Sequence, residues 1–123
     1  MMPWDLKSDR PIYTQILEEM KKRIISGYYQ PGDKLLAVRE LAQEAKVNPN
    51  TMQKAMMELE RENLVFTVRT TGRYITEDTE LIAETKKEFA ASHVENYYMQ
   101  MKDLGFAKNE MIELLSSYEE EKE

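Results

Sequence analysis

The sequence of 123 residues has no cysteine, a single histidine and no long apolar run. Without cysteine, a disulfide framework, a thiolate nucleophile and a cysteine-ligated zinc are excluded. No apolar run approaches the roughly 20 residues that cross a bilayer, and residues 1–5 show no apolar signal region. We therefore expect a cytoplasmic protein without a membrane partner.

The patterns that mark catalytic and metal sites are absent too. The chain has no Gly-rich phosphate loop, no nucleophile beside a base and no paired carboxylates in an expected pocket. The single histidine, His93, lies five residues from Glu88, which is not a metal-binding spacing. We expect no enzymatic activity, no metal and no cofactor.

Acidic residues outnumber basic ones, 23 to 17, so the net charge is −6. Its distribution is uneven: residues 1–32 and 33–75 each carry +1, whereas residues 76–123 carry −8. The local potential of a surface matters more to a charged partner than the total charge. A nearly neutral head can therefore still present a basic face, and the acidic last third is expected to be solvated.

Three helices are predicted in the first half, over residues 11–26, 37–46 and 49–62. The third has the clearest start, since Asn48 is a good N-cap and Pro49 then occupies the first helical position. Apolar residues recur on one face of each helix. The inner faces are expected to hold Ile12, Ile16, Met20, Ile24, Val38, Leu41, Ala42, Ala45, Met52, Ala55, Met56 and Leu59.

A hairpin and a helical tail follow. Strands at Leu64–Val68 and Tyr74–Ile75 flank a turn at Thr70-Thr71-Gly72. A long helix is predicted from Thr79, and a last one over Asn109–Glu121. The long helix carries a heptad-like seam, which consists of Ala90, Val94, Tyr97, Met101 and Leu104. We predict a head over residues 1–77 and a two-helix tail over residues 78–123.

The order of helix, helix, helix and hairpin indicates a helix-turn-helix, whose second helix lies in the DNA major groove. Asn and Gln can pair with adenine, and Lys can reach guanine or phosphate. The start of the third helix itself favours a phosphate. Candidate contacts on and around that helix are Asn48, Asn50, Thr51, Gln53 and Lys54.

Three arginines complete the candidate DNA surface. Arg39 lies at the start of the second helix, where phosphate binding is favoured over pairing with Glu40 or Glu44. Arg69 and Arg73 flank the hairpin tip and can meet the DNA backbone or the minor groove. A winged helix that binds another protein instead of DNA is the alternative, which the acidic tail mildly favours.

Several segments together resemble one known family. They are Pro11-Ile12-Tyr13, Pro31-Gly32-Asp33-Lys34-Leu35, Val38-Arg39-Glu40-Leu41-Ala42, Val47-Asn48-Pro49-Asn50-Thr51, Leu59-Glu60-Arg61-Glu62-Asn63-Leu64 and Gly72. Residues 10–76 look like the winged-helix head of the GntR family of bacterial regulators, and the short tail is similar to that of the YtrA-type subgroup. The resemblance implies a mostly α fold with a small β-hairpin, that is, a winged helix-turn-helix domain followed by a short helical dimerisation region.

The resemblance also implies a dimeric repressor on an operator of double-stranded DNA, without the large ligand pocket of other branches. DNA contacts are implied at Arg39, the Asn48–Thr51 turn, Gln53 and Gly72 with its neighbours Thr71 and Arg73. The sequence identifies no small-molecule effector.

Three departures from the family pattern carry expectations. Leu36-Ala37 stands in place of the usual Pro-Ser, so the second helix should lack a side-chain cap, a loss of roughly 1 kcal/mol. Thr70 replaces the first glycine of the wing tip, which affects the geometry of the wing. Pro49 occupies the place of an arginine in many relatives, which shifts base reading to Asn50 and Gln53.

The tail seam needs a partner, because a two-helix hairpin alone seldom buries enough apolar surface to be stable. Two-fold pairing is the commonest oligomer, so a second copy is the expected cover. The expected interface consists of Ala90, Val94, Tyr97, Met101, Leu104 and Leu115. A tail that folds back on its own head, leaving a monomer, is the alternative.

Overall fold

The structure is a computed structural model that describes residues 3–120. Its elements in chain order are α1 (Ile12–Ile25), α2 (Val38–Ala45), α3 (Pro49–Arg61), β1 (Val65–Val68), β2 (Gly72–Ile75), α4 (Thr79–Asp103) and α5 (Lys108–Ser116). The chain forms two compact units, one ending at Lys86 and the other beginning at Lys87. The mostly α fold with one hairpin confirms the predicted fold class.

The helix ends follow the local signals in the sequence closely. Pro11 is the N-cap of α1, so that helix begins one residue later than predicted. Asn48 caps α3 by accepting a hydrogen bond from the backbone N–H of Asn50 at 2.7 Å, and Pro49 takes the first helical position. Gly27 (φ +85°) and Asn63 (φ +63°) adopt the left-handed conformation just after α1 and α3. Both helices therefore end at a left-handed residue, a common way to terminate a helix.

The core of the head lies between the first three helices and the hairpin. Its fully buried side chains include Ile16, Met20, Ile24, Leu41, Met52, Met56, Leu59, Leu64 and Ile75. Ile12 departs from the predicted stripe, because it lies in the first turn of α1 and is 37% exposed. Leu81 and Ile82 of α4 also pack against this core. The head unit therefore extends past residue 77, where the sequence predicted its end.

The hairpin is antiparallel, and its register pairs Val65 with Ile75 and Val68 with Gly72. The segment 32–35 hydrogen-bonds to the other edge of β2: Leu35 N donates to Arg73 O at 2.9 Å, and Ile75 N donates to Asp33 O at 2.8 Å. β2 is thus held by backbone bonds along both of its edges, to β1 on one side and to residues 32–35 on the other.

The tail unit contains the greater part of α4 and all of α5. The two helices are joined by Tyr97, whose hydroxyl donates to the carbonyl oxygen of Met111 at 2.7 Å. Gly105 (φ +93°) lies in the turn between them. The predicted last helix was too long: α5 ends at Ser116, residues 117–120 are not helical, and Glu121 lies outside the described residues. None of the helices described over residues 3–120 is long and apolar enough to span a bilayer.

Candidate nucleic-acid interface

A tight turn fixes α3 against α2. Three residues connect the helices, and the first of them, Lys46, closes α2 in the left-handed conformation with φ +57°. Val47 N then donates to Ala42 O at 3.0 Å. Because the side chains of Met52, Ala55, Met56 and Leu59 are all buried, the opposite face of α3 is held outward on a packed base.

The outward face of α3 carries the predicted polar residues, with different exposures. Asn50 and Lys54 are exposed, whereas Thr51 and Gln53 are half-buried. The Lys54 ammonium lies 5.6 Å from the ring centroid of Tyr13, a cation–π distance. Lys54 therefore has a partner on α1, which the sequence did not indicate.

The backbone at the start of α3 is already satisfied. Pro49 has no N–H, Asn50 N donates to the Asn48 side chain, and the N–H groups of Thr51 and Met52 donate to Asn48 O at 3.0 and 3.1 Å. These N–H groups are therefore used within the turn, and a phosphate at this helix start would be favoured by the helix dipole. The cap that Asn48 makes uses the same donors.

The start of α2 has the opposite character. Ala37 is the N-cap and has no side-chain acceptor, which confirms the predicted loss of a cap. The Glu40 carboxylate accepts only the N–H of Ala37, at 3.3 Å. Among residues 3–120 no acceptor is placed for the N–H groups of residues 38–40. These donors and the positive end of the helix dipole are available to an anion.

A groove of about 750 Å³ runs between the start of α2 and the wing. Its lining consists of Lys34, Leu35, Leu36, Ala37, Val38, Glu40, Met56, Thr67, Thr71, Gly72 and Arg73. Arg39, next to this groove in the chain, and Arg69, at the wing tip, are exposed. Neither has an ion pair within the described part of the chain. The expected alternative of an Arg39 pair with Glu40 or Glu44 is not formed.

The wing tip is a three-residue turn over residues 69–71. Thr71 donates to Val68 O through both its N–H (3.1 Å) and its hydroxyl (3.2 Å). Thr70 has φ +72°, a conformation that suits glycine and strains a β-branched residue. Gly72 has φ +127°, and a Cβ there would lie 3.2 Å from Lys34 Cε. The departure at Thr70 thus leaves the turn in place but under strain.

Arg73 differs from Arg69 in having an acidic partner. Its Nε donates to Glu60 Oε1 at 2.5 Å, joining β2 to the last turn of α3. The hydrogen bond from Arg73 holds the pKa of Glu60 below its ordinary value, against the opposing effect of partial burial. The sequence placed Arg73 at the hairpin tip with no acidic partner nearby, because Glu60 is thirteen residues away in the chain.

The structure also reveals a docked N-terminal arm that the sequence did not indicate. Residues 3–10 lie on the head, with Trp4 and Leu6 packed against its core. The Trp4 ring centroid is 4.2 Å from the guanidinium of Arg23, and Arg23 is bonded to Glu19 and to the Tyr29 hydroxyl, each at 3.1 Å.

Arg23 is the buried charge at the centre of this arrangement. Burial disfavours its charged form, but the hydrogen bonds with Tyr29 and Glu19 outweigh that effect and raise its pKa. Two sequence features could have indicated this arm. They are the apolar residues Trp4 and Leu6 ahead of Pro11, and the charge of Arg23 beside the apolar stripe of α1.

The predicted dimer seam splits into two sets in the tail unit. Tyr97 and Met101 are half-buried within the tail. Ala90, Val94, Leu104 and Leu115 are exposed, and Leu104 lies in the turn beyond α4. Leu115, with His93, Val94 and Ile112 among other residues, lines an apolar groove of about 360 Å³.

Comparisons with known proteins agree with this geometry. Residues 12–75 match the family "Bacterial regulatory proteins, gntR family". The uncharacterized HTH-type transcriptional regulator YhcF of Bacillus subtilis (strain 168) is 40% identical over 93% of this chain and 94% of its own length. The HTH-type transcriptional repressor YtrA of the same organism is 49% identical over 63% of this chain and 60% of its own length.

Solved structures show the same fold. The GntR family transcriptional regulator from Listeria monocytogenes superimposes with a TM-score of 0.86 at 40% identity, covering 93% of this chain and all of the other. The AraR DNA-binding domain in complex with operator ORX1 gives a TM-score of 0.52 at 27% identity, over 62% of this chain and 93% of that one.

The fold and the outward face of α3 define a winged helix-turn-helix protein of the transcription-regulator class. The chain belongs to the GntR family of bacterial regulatory proteins, since the family match covers more than half of it and a relative of the same length is 40% identical. This confirms the family predicted from the sequence. The relatives are named transcription regulators, a non-enzymatic function, which agrees with the predicted lack of enzymatic activity.

Proposed function

We propose that this protein is a sequence-specific repressor that binds a near-palindromic operator as a homodimer. The observation that carries the proposal is the outward face of α3, with Asn50, Gln53 and Lys54 projecting from a helix whose other face is buried. The head matches the DNA-binding domain that AraR uses on its operator, and YtrA is named a repressor.

Base reading is assigned to the first two turns of α3. Asn50 and Gln53 have amides that can pair with the N6 and N7 atoms of adenine. Gln53 is half-buried, so its side chain has fewer rotamers to lose on binding than a fully exposed one. Asn48 Oδ1 is occupied by the cap, which leaves its amide NH₂ to donate to DNA. Thr51 borders the same turn and is also a contact in this proposal.

Backbone contacts are assigned to the groove side of the head. Arg39 is exposed beside the free N–H groups of α2, and a phosphate bound there meets both a guanidinium and a helix dipole. At the wing tip, Arg69 supplies charge, while Thr71 and Gly72 bring the backbone close to the duplex. Lys54 reaches the DNA only by leaving the Tyr13 ring.

The dimer is assigned to the tail. Val94 is 65% exposed and Leu115 64%, and both line the apolar groove of that unit. Ala90 and Leu104 are also exposed, whereas Tyr97 and Met101 are half-buried, and all four belong to the interface in this proposal. An exposed apolar groove of this kind supports the assignment of an interaction site to the tail. A two-fold dimer expects half-sites about one helical turn, ~10 bp, apart. We place the protein in the cytoplasm, where it meets operator DNA.

Selection of binding sites from random DNA tests the DNA-binding part. The full chain should enrich one near-palindromic sequence, and its affinity should fall steeply with salt, because neutralised phosphates release counterions. No enrichment, together with no salt-dependent binding, would favour the alternative of a protein-interaction adaptor.

Sedimentation of point variants tests the dimer. Val94→Asp places a charge on the exposed seam and should convert a dimer into a monomer. Met99→Asp is the matched control, because Met99 is a 50% exposed apolar residue of α4 off the seam. It should leave the dimer intact. A monomeric wild type at micromolar concentration, or equal behaviour of the two variants, would reject this interface.

A further inference from the structure

The wing, the hairpin of β1 and β2, is joined to α3 by a side-chain pair. Arg73 Nε donates to Glu60 Oε1 at 2.5 Å. Both side chains are largely covered, with 21% and 31% of their surfaces exposed. Thr67, which lies opposite Arg73 in the hairpin register, also contributes to lowering the pKa of Glu60. One residue of α3 is therefore paired directly with β2 and lies near β1.

The two faces of the hairpin have separate tasks. Side chains alternate across a strand, so Thr67 and Arg73 share one face and point to α3. Phe66 and Tyr74 share the other, where their rings stack at 5.7 Å between centroids. Backbone bonds from residues 33 and 35 attach β2 at Ile75 and at Arg73 itself. The side-chain pair adds a link from Arg73 to α3, one residue from Gly72.

We propose that Glu60 and Arg73 are positioning residues that fix the angle between the wing and α3, so that Arg69 and the bases read by α3 engage the same duplex. This inference rests on the proposed DNA-binding function. It removes Arg73 from the direct DNA contacts that the sequence suggested. A phosphate approaching Arg73 would meet the Glu60 carboxylate, whose negative charge repels it and already neutralises the guanidinium.

A positioning role and a phosphate contact for Arg73 predict opposite effects of Glu60→Gln on operator affinity. If the pair positions the wing, Glu60→Gln and Arg73→Ala both weaken binding of the full chain to its selected operator, by roughly 3- to 10-fold. The double variant is then little weaker than either single one, and the salt slope stays unchanged. If Arg73 contacts a phosphate, Glu60→Gln frees it and tightens binding, and Arg73→Ala lowers the salt slope by about one. That second pattern overturns the proposal.

The chain offers a matched control and a conservative rescue. Lys21 and Glu62 form an ion pair at 2.8 Å between α1 and the end of α3, with similar exposures of 21% and 29%. Lys21→Ala removes a comparable pair away from the wing and should leave operator affinity unchanged. Arg73→Lys keeps a charge that can reach Glu60 and should retain most of the affinity. Equal losses in Lys21→Ala and Arg73→Ala would reduce the effect to general destabilisation and overturn the proposal.

A measurement without DNA keeps this test independent of the proposed function. The sequence has no cysteine, so Thr71→Cys at the wing tip and Lys22→Cys on α1 give two spin-label sites in each chain, and dilution with unlabelled chain isolates the distance within one protomer. The distance distribution between the labels should broaden in Glu60→Gln and Arg73→Ala but not in Lys21→Ala. An unchanged distribution in both wing variants overturns the proposal even if DNA binding is intact. Absent DNA binding with a broadened distribution rejects the proposed function alone.

Discussion

The Gln15 side chain hydrogen-bonds both backbone polar groups of Lys7. Its oxygen accepts from Lys7 N at 2.6 Å, and its amide donates to Lys7 O at 2.7 Å. The same amide donates to Arg10 O at 2.8 Å. Gln15 is itself buried on α1. One side chain thus holds the N-terminal arm on the head through three hydrogen bonds.

Gln15→Ala should release this arm. Because the partners of a buried amide are left unpaired, we expect a loss of about 1–3 kcal/mol in the free energy of unfolding. Faster amide exchange at Lys7 would report the release directly. Gln43→Ala, at an exposed position of α2, is the control and should change neither quantity. Unaltered exchange at Lys7 in Gln15→Ala would show that the apolar contacts of Trp4 and Leu6 hold the arm without it.

Thr70→Gly should stabilise the protein. Thr70 has φ +72°, which costs roughly 1–2 kcal/mol for a residue with a Cβ. Glycine removes that cost but adds up to about 1 kcal/mol of unfolded-state entropy, so a net gain of about 0.5–1 kcal/mol is expected in urea unfolding. Thr71→Gly removes a hydroxyl bonded to Val68 O and should destabilise. A loss of stability in Thr70→Gly would contradict the strain at this turn.

The Glu60–Arg73 pair should make stability depend on pH in the acid range. Folding lowers the pKa of Glu60 from its ordinary value of 4.5, chiefly through the hydrogen bond from Arg73. The pair is therefore stabilising above that ordinary pKa, and its contribution is lost as pH falls through the lower folded pKa. Partly exposed pairs contribute about 1 kcal/mol or less.

Urea unfolding at pH 7 and near pH 3 measures this contribution. Wild type should exceed Glu60→Gln in stability at pH 7, and the difference should shrink at the lower pH. Glu84→Gln, an exposed residue of α4 without an ion pair among the described residues, should show no such trend. A difference between wild type and Glu60→Gln that is constant with pH would argue against the pair.

Gln53→Ala and Arg39→Ala should affect DNA binding in different ways. Loss of a bidentate base contact costs ~1–3 kcal/mol of discrimination, so Gln53→Ala should relax the preference at one operator position. Arg39→Ala should weaken all sequences alike and lower the salt slope by about one. Selected-site profiles and salt titrations measure the two effects, with Lys102→Ala in the tail as control. An unchanged profile for Gln53→Ala would remove that residue from base reading.

Much of the head could be predicted because its signals are local. Asn48-Pro49 starts α3, Asn63 ends it, and the spacing of Met52, Ala55, Met56 and Leu59 gives its buried face. Each of these depends on residues within one or two helical turns. The candidate DNA face of α3 followed from the same spacing, as the complement of the buried one. The exact end of α5 could not be predicted in this way, because its last residues are polar and no buried residue marks where the helix stops.

The sequence by itself determined the family, the order of elements, the core faces and the turn at which α3 begins. Only the tertiary structure decided which charged groups pair across the fold. Arg73 with Glu60, Lys54 with Tyr13, and Arg23 with Trp4 are brought together from distant parts of the chain. The reason is physical: helix and turn formation depends on near neighbours, whereas an ion or ring contact depends on where packed elements place side chains that no sequence periodicity relates.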